Sequence, residues 1–137
     1  MSTFLRSLRS VAAVLAGYVV IVLGTILTLE VWLGGIGWAK SSRNELVLAT
    51  VGTLVSGIAG GLVAAWLAGR RPFQHAVAVL IPIAFDTANI LWTGISPDPV
   101  WFDLGGSMTL VAGALIGGYL LKTKRPPPEQ LSRPANS

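Results

Sequence analysis

The chain has 137 residues, of which 53% are hydrophobic and 12% charged, and its mean hydropathy is +0.68. A soluble domain carries about 25% charged residues; half that share cannot cover a globule of this length, so water is not the solvent for most of its surface. Cysteine is absent and histidine occurs once. Disulfides, zinc–thiolate centres, cysteine nucleophiles and multi-histidine metal sites are therefore excluded.

Four apolar stretches stand out, at 11–33, 46–69, 76–93 and 100–121. A helix needs about 20 apolar residues to cross a hydrocarbon core of about 30 Å, and backbone groups cannot stay unpaired in lipid. These stretches predict an all-α, integral membrane four-helix bundle over residues 1–125, followed by a Pro-rich, flexible cytoplasmic tail at 126–137. Arg6 and Arg9 before the first stretch, with Gly37-Trp38-Ala39 after it, imitate a cleavable leader. The hydrophobic region of such a leader runs about 7–15 residues, so this longer stretch reads as a retained anchor.

Lysine and arginine set the expected orientation. Arg6, Arg9, Arg70, Arg71, Lys122, Lys124, Arg125 and Arg133 fall on one side, and only Lys40 and Arg43 on the other. That bias places both termini in the cytoplasm, with Arg70, Arg71, Lys124 and Arg125 as anchors at that surface. Topology then accounts for a pI of about 10.1, and no nucleic-acid partner is expected, because the positive charge forms no binding stripe. Aromatic residues fall in two girdles, as interfacial residues do: Trp32, Trp38, Trp92 and Trp101 at the outer ends, and Phe4, Trp66, Phe73 and Tyr119 at the inner ends. The loop at 34–45 is glycine-rich and then polar, and Gly-Ile-Ser-Pro-Asp-Pro at 94–99 makes a tight turn that cannot continue a helix.

The second span carries two adjacent rows of small residues, Gly57, Gly61, Ala65 and Gly69, and Ser56, Gly60, Ala64 and Ala68. The fourth repeats the device with Gly105, Thr109, Gly113 and Gly117, and the first pairs Ala13 with Gly17 and Gly24 with Thr28. Small residues four apart let helix backbones approach closely, which is the main adhesive inside lipid. Either the rows close one compact bundle, or one of them meets another chain, since two rows exceed what a single neighbour needs. Residues 56–67 and 109–120 also echo each other in small and aliphatic residues, each followed by basic residues and proline.

Asp86 is the most informative polar residue. It lies near the middle of the third span, where a charged carboxylate costs at least about 2.5–3.5 kcal/mol. His75, Pro82, Asn89 and Thr93 share its helical spacing, so the stripe should face protein or a water-filled cavity. Asp86 is then either a proton- or cation-binding carboxylate, or a protonated structural group bonded to Asn89, Thr53 or Ser107. Glu30 lies about 12 Å from the midpoint of the first span, close enough to the outer interface to pair with Lys40 or Arg43. Asp103 suits the first turn of the fourth helix, and His75, without companion ligands, reads as an interfacial residue. No metal site, cofactor or enzyme motif is expected: the zinc-protease, P-loop and nucleophile-elbow patterns are all missing.

The segment at 60–76, Gly-Gly-Leu-Val-Ala-Ala-Trp-Leu-Ala-Gly-Arg-Arg-Pro-Phe-Gln-His-Ala, resembles a group of small bacterial four-span membrane proteins. These share a Gly-Gly-x-x-Ala-Ala-x-x-Ala-Gly-Arg-Arg-Pro-x-x-His-Ala pattern after the second span. The start, from Leu5-Arg6-Ser7-Leu8 to Leu15-Ala16-Gly17-Tyr18, is similar too, and Trp66 stands where that group usually has arginine. The resemblance implies the topology and a bacterial inner membrane, and implies no activity. Small multidrug transporters differ in carrying a mid-membrane glutamate in the first helix, and the arginine-containing glycine signature of fluoride channels is missing. The function expected is that of a non-catalytic accessory subunit that binds through its glycine rows, Gly57, Gly60, Gly61, Gly113 and Gly117, to larger membrane proteins. The alternative is a small self-associating transporter or channel that uses Asp86 and Asn89.

Overall fold

A computed structural model of the chain describes residues 2–69 and 71–124. The expected tail at 126–137 and the anchors Arg70 and Arg125 lie outside the described residues. Helix α1 covers Ser2–Ile26 and continues as a π-helical turn over Leu27–Trp32; α2 covers Arg43–Ala68, α3 Pro72–Ala78, α4 Leu80–Thr93 and α5 Val100–Lys124. No strand occurs among the described residues. Taking α3 with α4, four helical segments are long and apolar enough to cross a bilayer: Thr3–Trp32, Arg43–Ala68, Pro72–Thr93 and Val100–Lys124.

Local chemistry sets these boundaries. Ser42 begins α2 with a capping box, its hydroxyl accepting from Glu45 N at 3.3 Å while Glu45 Oε2 accepts from Ser42 N at 2.7 Å. At the other end of α2, Arg9 Nε donates to Leu67 O at 2.9 Å, a cation on orphan carbonyls. Gly69, at φ 71°, ends α2, and Arg71, in the left-handed region at φ 50°, precedes Pro72, which opens α3. The third span is therefore earlier than its apolar stretch suggests, and it is broken at Val79. Pro82 is the cause: it has no N–H for the carbonyl of Ala78, and its ring crowds that carbonyl.

The bundle closes around α2, and its two rows of small residues face two different neighbours. On one flank, a side-chain carbon at Gly17 would stand 2.7 Å from Ala64 Cβ and 2.7 Å from Gly60 O, and one at Gly60 would strike Ile21 of α1. On the other, a carbon at Gly57 would stand 2.7 Å from Leu110 O, one at Gly61 would strike Ala114 O, and one at Gly117 would strike Ile58 O. Gly113 packs reciprocally, 2.5 Å from Leu54 O by the same measure. Both rows thus have occupants within the chain, which supplies the two neighbours that one adjacent helix could not. The side-chain core beside them is thin, with Ile21, Ala64, Val79 and Ile83 at its centre and Val14, Tyr18, Leu110 and Val111 around it.

One end of the bundle gathers the start of α1, the end of α5 and the junction of α2 with α3; there Lys122 Nζ sits 5.6 Å from the centre of the Phe73 ring. The other end gathers the two longer loops, joined by a bond from Trp38 N to Asp98 Oδ1 at 2.8 Å.

Candidate functional site

Helix α4 packs on α5 and leaves a gap to α1. The upper part of that gap is a crevice of about 250 Å³, lined by Tyr18, Ile21 and Thr25 from α1, Asp86 and Thr87 from α4, and Ser107 from α5. Tyr18 of α1 and Asp86 of α4 face each other across this crevice, close enough for the phenol and the carboxylate to interact. Thr87 and Ser107 tie α4 to α5: the Thr87 hydroxyl lies 2.7 Å from Ser107 Oγ and 2.8 Å from Ile83 O, and Ser107 Oγ donates to Asp103 O at 3.0 Å. Thr25 Oγ1 is buried in the same crevice without a hydrogen-bond partner among the described residues. A buried orphan hydroxyl is costly, so this crevice is suited to a water, a proton or a polar group delivered from outside.

Asp86 itself is exposed on the surface of the bundle. Within the span Pro72–Thr93 it stands about 5 Å from the midpoint, on the side of the longer loops. Its neighbours on α4 are apolar and open: Ile81 and Phe85 are largely uncovered and Trp92 is 92% exposed. In hydrocarbon, a carboxylate at that depth costs at least about 2.5–3.5 kcal/mol, which a partner group or a water-filled cavity offsets.

The expected stripe does not stay together. His75 and Pro82 line a separate apolar groove against α1 with Val11, Val14 and Phe85. Asn89 and Thr93 are exposed, and the Thr93 hydroxyl donates to Asn89 O at 2.7 Å, so the pair serves its own helix. The partner of Asp86 is Tyr18, in place of the Asn89, Thr53 or Ser107 considered from sequence; Ser107 shares the crevice but bonds Thr87, and Thr53 faces the opposite side of the bundle. Glu30 lies in the π-helical turn, with Oε2 3.5 Å and Lys40 Nζ 3.3 Å from the place a side-chain carbon on Gly35 would occupy. Both charges thus gather over one glycine at the loop end, far from Asp86.

Of the cytoplasmic anchors, Arg71 caps α3, its carbonyl accepting from Gln74 N at 3.1 Å with His75 Nδ1 at 3.2 Å, and Lys124 ends α5. Tyr18 and Thr25 were missed from sequence. Their signal was present as two polar groups seven residues apart, on one face of an otherwise apolar helix. No three His, Asp or Glu side chains come together as a metal site among the described residues. No family model, curated protein or solved structure matches this chain.

Proposed function

We propose that this chain is a non-catalytic integral membrane protein with both termini in the bacterial cytoplasm, and that it serves as a packing subunit of a larger membrane complex. The observation that carries the reading is the open face of α4, with Asp86 exposed among Ile81, Phe85 and Trp92. A transmembrane helix that brings a hydrogen-bond donor to the depth of Asp86 removes the cost of that carboxylate and covers the apolar surface beside it. The excess of lysine and arginine at the terminal end supports the orientation. The likeness at 60–76 to small bacterial four-span proteins supports the membrane. The glycine rows are not the docking surface in this reading, because α1 and α5 already occupy them.

A second reading rests on Thr25. With Tyr18 and Asp86 it gives the crevice the polar lining a proton or small ion needs, and self-association through α4 would enclose it as a transport site.

The chain has no cysteine, so Phe85→Cys provides a unique crosslinking position on the open face. The tagged variant is crosslinked in native membranes, extracted in mild detergent and identified by mass spectrometry. A stoichiometric foreign subunit joined at position 85, and lost when Asp86→Leu is added, supports the packing subunit. A product containing only this chain overturns it in favour of self-association, and proton-flux assays on Asp86→Asn then decide whether the crevice transports.

A further inference from the structure

Helices α2 and α5 meet backbone to backbone from Gly57 and Gly113 inward and diverge toward the longer loops. There, the space that a side-chain carbon on Gly105 or Gly106 would enter has nothing within 4 Å. The divergence leaves a wedge of about 500 Å³, inside the range of about 300–1,000 Å³ usual for small-molecule sites. We propose that this wedge binds an amphiphilic organic cation, a substituted ammonium or similar positive group on an apolar body that carries a hydrogen-bonding group at its far end.

Three features converge on that chemistry. The walls are apolar, with Leu46 and Ala49 of α2 facing Gly105 and Gly106 of α5. The mouth holds two carboxylates, Asp98 and Asp103, and no lysine or arginine lines the cavity. Each carboxylate has lone pairs left after its internal bond, Asp98 Oδ1 to Trp38 N at 2.8 Å and Asp103 Oδ1 to Ser96 Oγ at 3.0 Å. Around them stand three aromatic rings: Trp38 and Trp101 meet edge to face with centres 4.5 Å apart, and each lies 6.0 Å from Phe102. Carboxylates and aromatic faces both attract positive charge.

The inner end holds Thr53, 7% exposed and facing the wedge. The hydroxyls of Thr28, Thr50 and Thr109 each donate to the carbonyl four residues earlier. Thr53 makes no such bond and has no partner among the described residues. An unpartnered hydroxyl open to the bottom of an apolar wedge is the place for the far polar group. Because the mouth lies at the loop end, the cation has two sources, a free amphiphile or the amine headgroup of a phospholipid.

The test uses the full-length protein in neutral maltoside micelles with ethidium, a cationic, amino-bearing aromatic probe, followed by its fluorescence. Saturable binding is expected, with fluorescein, its anionic counterpart, not bound. Combined Asp98→Asn and Asp103→Asn, which keep an oxygen acceptor at each internal bond, should weaken binding at least tenfold. Gly106→Leu, which enters empty space, should abolish it, Thr53→Val should weaken it a few-fold, and Asp86→Asn should leave it unchanged. Competition by added phosphatidylethanolamine but not phosphatidylglycerol assigns the site to the headgroup; no competition by either assigns it to a free cation. No saturable binding, binding indifferent to the Asp98, Asp103 and Gly106 variants, or binding lost on Asp86→Asn alone overturns the proposal.

Discussion

Helix α2 is held on both flanks by contacts between backbones, α1 against Gly60 and α5 against Gly57 and Gly61. Helix α4 is held on one flank, by α5, and its other side opens onto two grooves and a carboxylate. The first arrangement needs no large side chains: the biggest fully buried ones among the described residues are Ile21 and Val79. In lipid, where apolar side chains gain little by leaving one apolar surface for another, close backbone packing is what remains to join helices. The contrast teaches that this bundle spends its small residues on a rigid three-helix unit of α1, α2 and α5. It leaves α4 as the element whose position depends on something else, a neighbouring chain or the contents of the crevice.

Breaking the rigid unit should have the largest effect. In Gly61→Leu the new side chain meets the carbonyl of Ala114, and backbone cannot rotate away as a side chain can. Overpacking of this kind costs about 3 kcal/mol or more. Thermal unfolding of the purified chain in detergent should show a large fall in Tm, while Gly105→Leu, with nothing within 4 Å, should stay within about 0.5 kcal/mol of the parent. Equal losses in the two variants would mean that α2 and α5 are not joined at Gly61.

Changing α4 should act in the opposite sense. Asp86→Leu removes a carboxylate whose cost at mid-depth is about 2.5–3.5 kcal/mol, so the isolated chain in nanodiscs should become more resistant to unfolding even as it loses whatever binds the open face. A less stable Asp86→Leu chain would show that the Tyr18–Asp86 contact holds α4 in place. Next in size is Arg9→Ala, which frees Leu67 O from its 2.9 Å bond. About 1 kcal/mol of local stability is expected to go, a typical hydrogen-bond contribution, visible as faster amide exchange over the last turn of α2 with the remainder of the helix unchanged.

How much of this contrast was legible in the sequence follows from the physics of each part. The four helices were, because apolar runs long enough to span lipid leave the backbone no alternative. The small-residue rows were visible too, but small residues mark a close approach and not whose helix makes it: the excess of rows equally suits another chain, and α1 and α5 of this chain fill them. The stripe from His75 to Thr93 does not share one environment, because helical spacing fixes the side of a helix and not what lies beside it: His75 and Pro82 line a groove against α1, while Asp86, Asn89 and Thr93 are exposed. The π-helical turn at Leu27–Trp32 left no trace, since nothing in Leu-Thr-Leu-Glu-Val-Trp disfavours an ordinary helix. Thr53 was considered as a partner for Asp86 and belongs to the other side of the bundle. Depth along a span can be read from residue number; the direction a side chain faces needs the neighbours to be known.

The smallest change bears most directly on whether α4 is free to move. Thr87→Val keeps the shape of the side chain and removes one hydroxyl, which lies 2.7 Å from Ser107 Oγ and 2.8 Å from Ile83 O. A single hydroxyl proton serves one of these acceptors at a time. If it serves Ile83 O, the variant loses a bond within α4 and the helix pair is unaffected; if it serves Ser107, the variant loses a polar link between α4 and α5. Such interhelical bonds average about 0.6 kcal/mol, too little to move Tm measurably but enough to shift a loosely held helix. Spin labels at Phe85→Cys and Val111→Cys, on α4 and α5, should report a broader distance distribution in Thr87→Val than in the parent. An unchanged distribution would place the proton on Ile83 O and leave side-chain packing on α5 as the hold on α4. Ser107→Ala then separates the two arrangements again, since it removes the acceptor and leaves the bond within α4 intact.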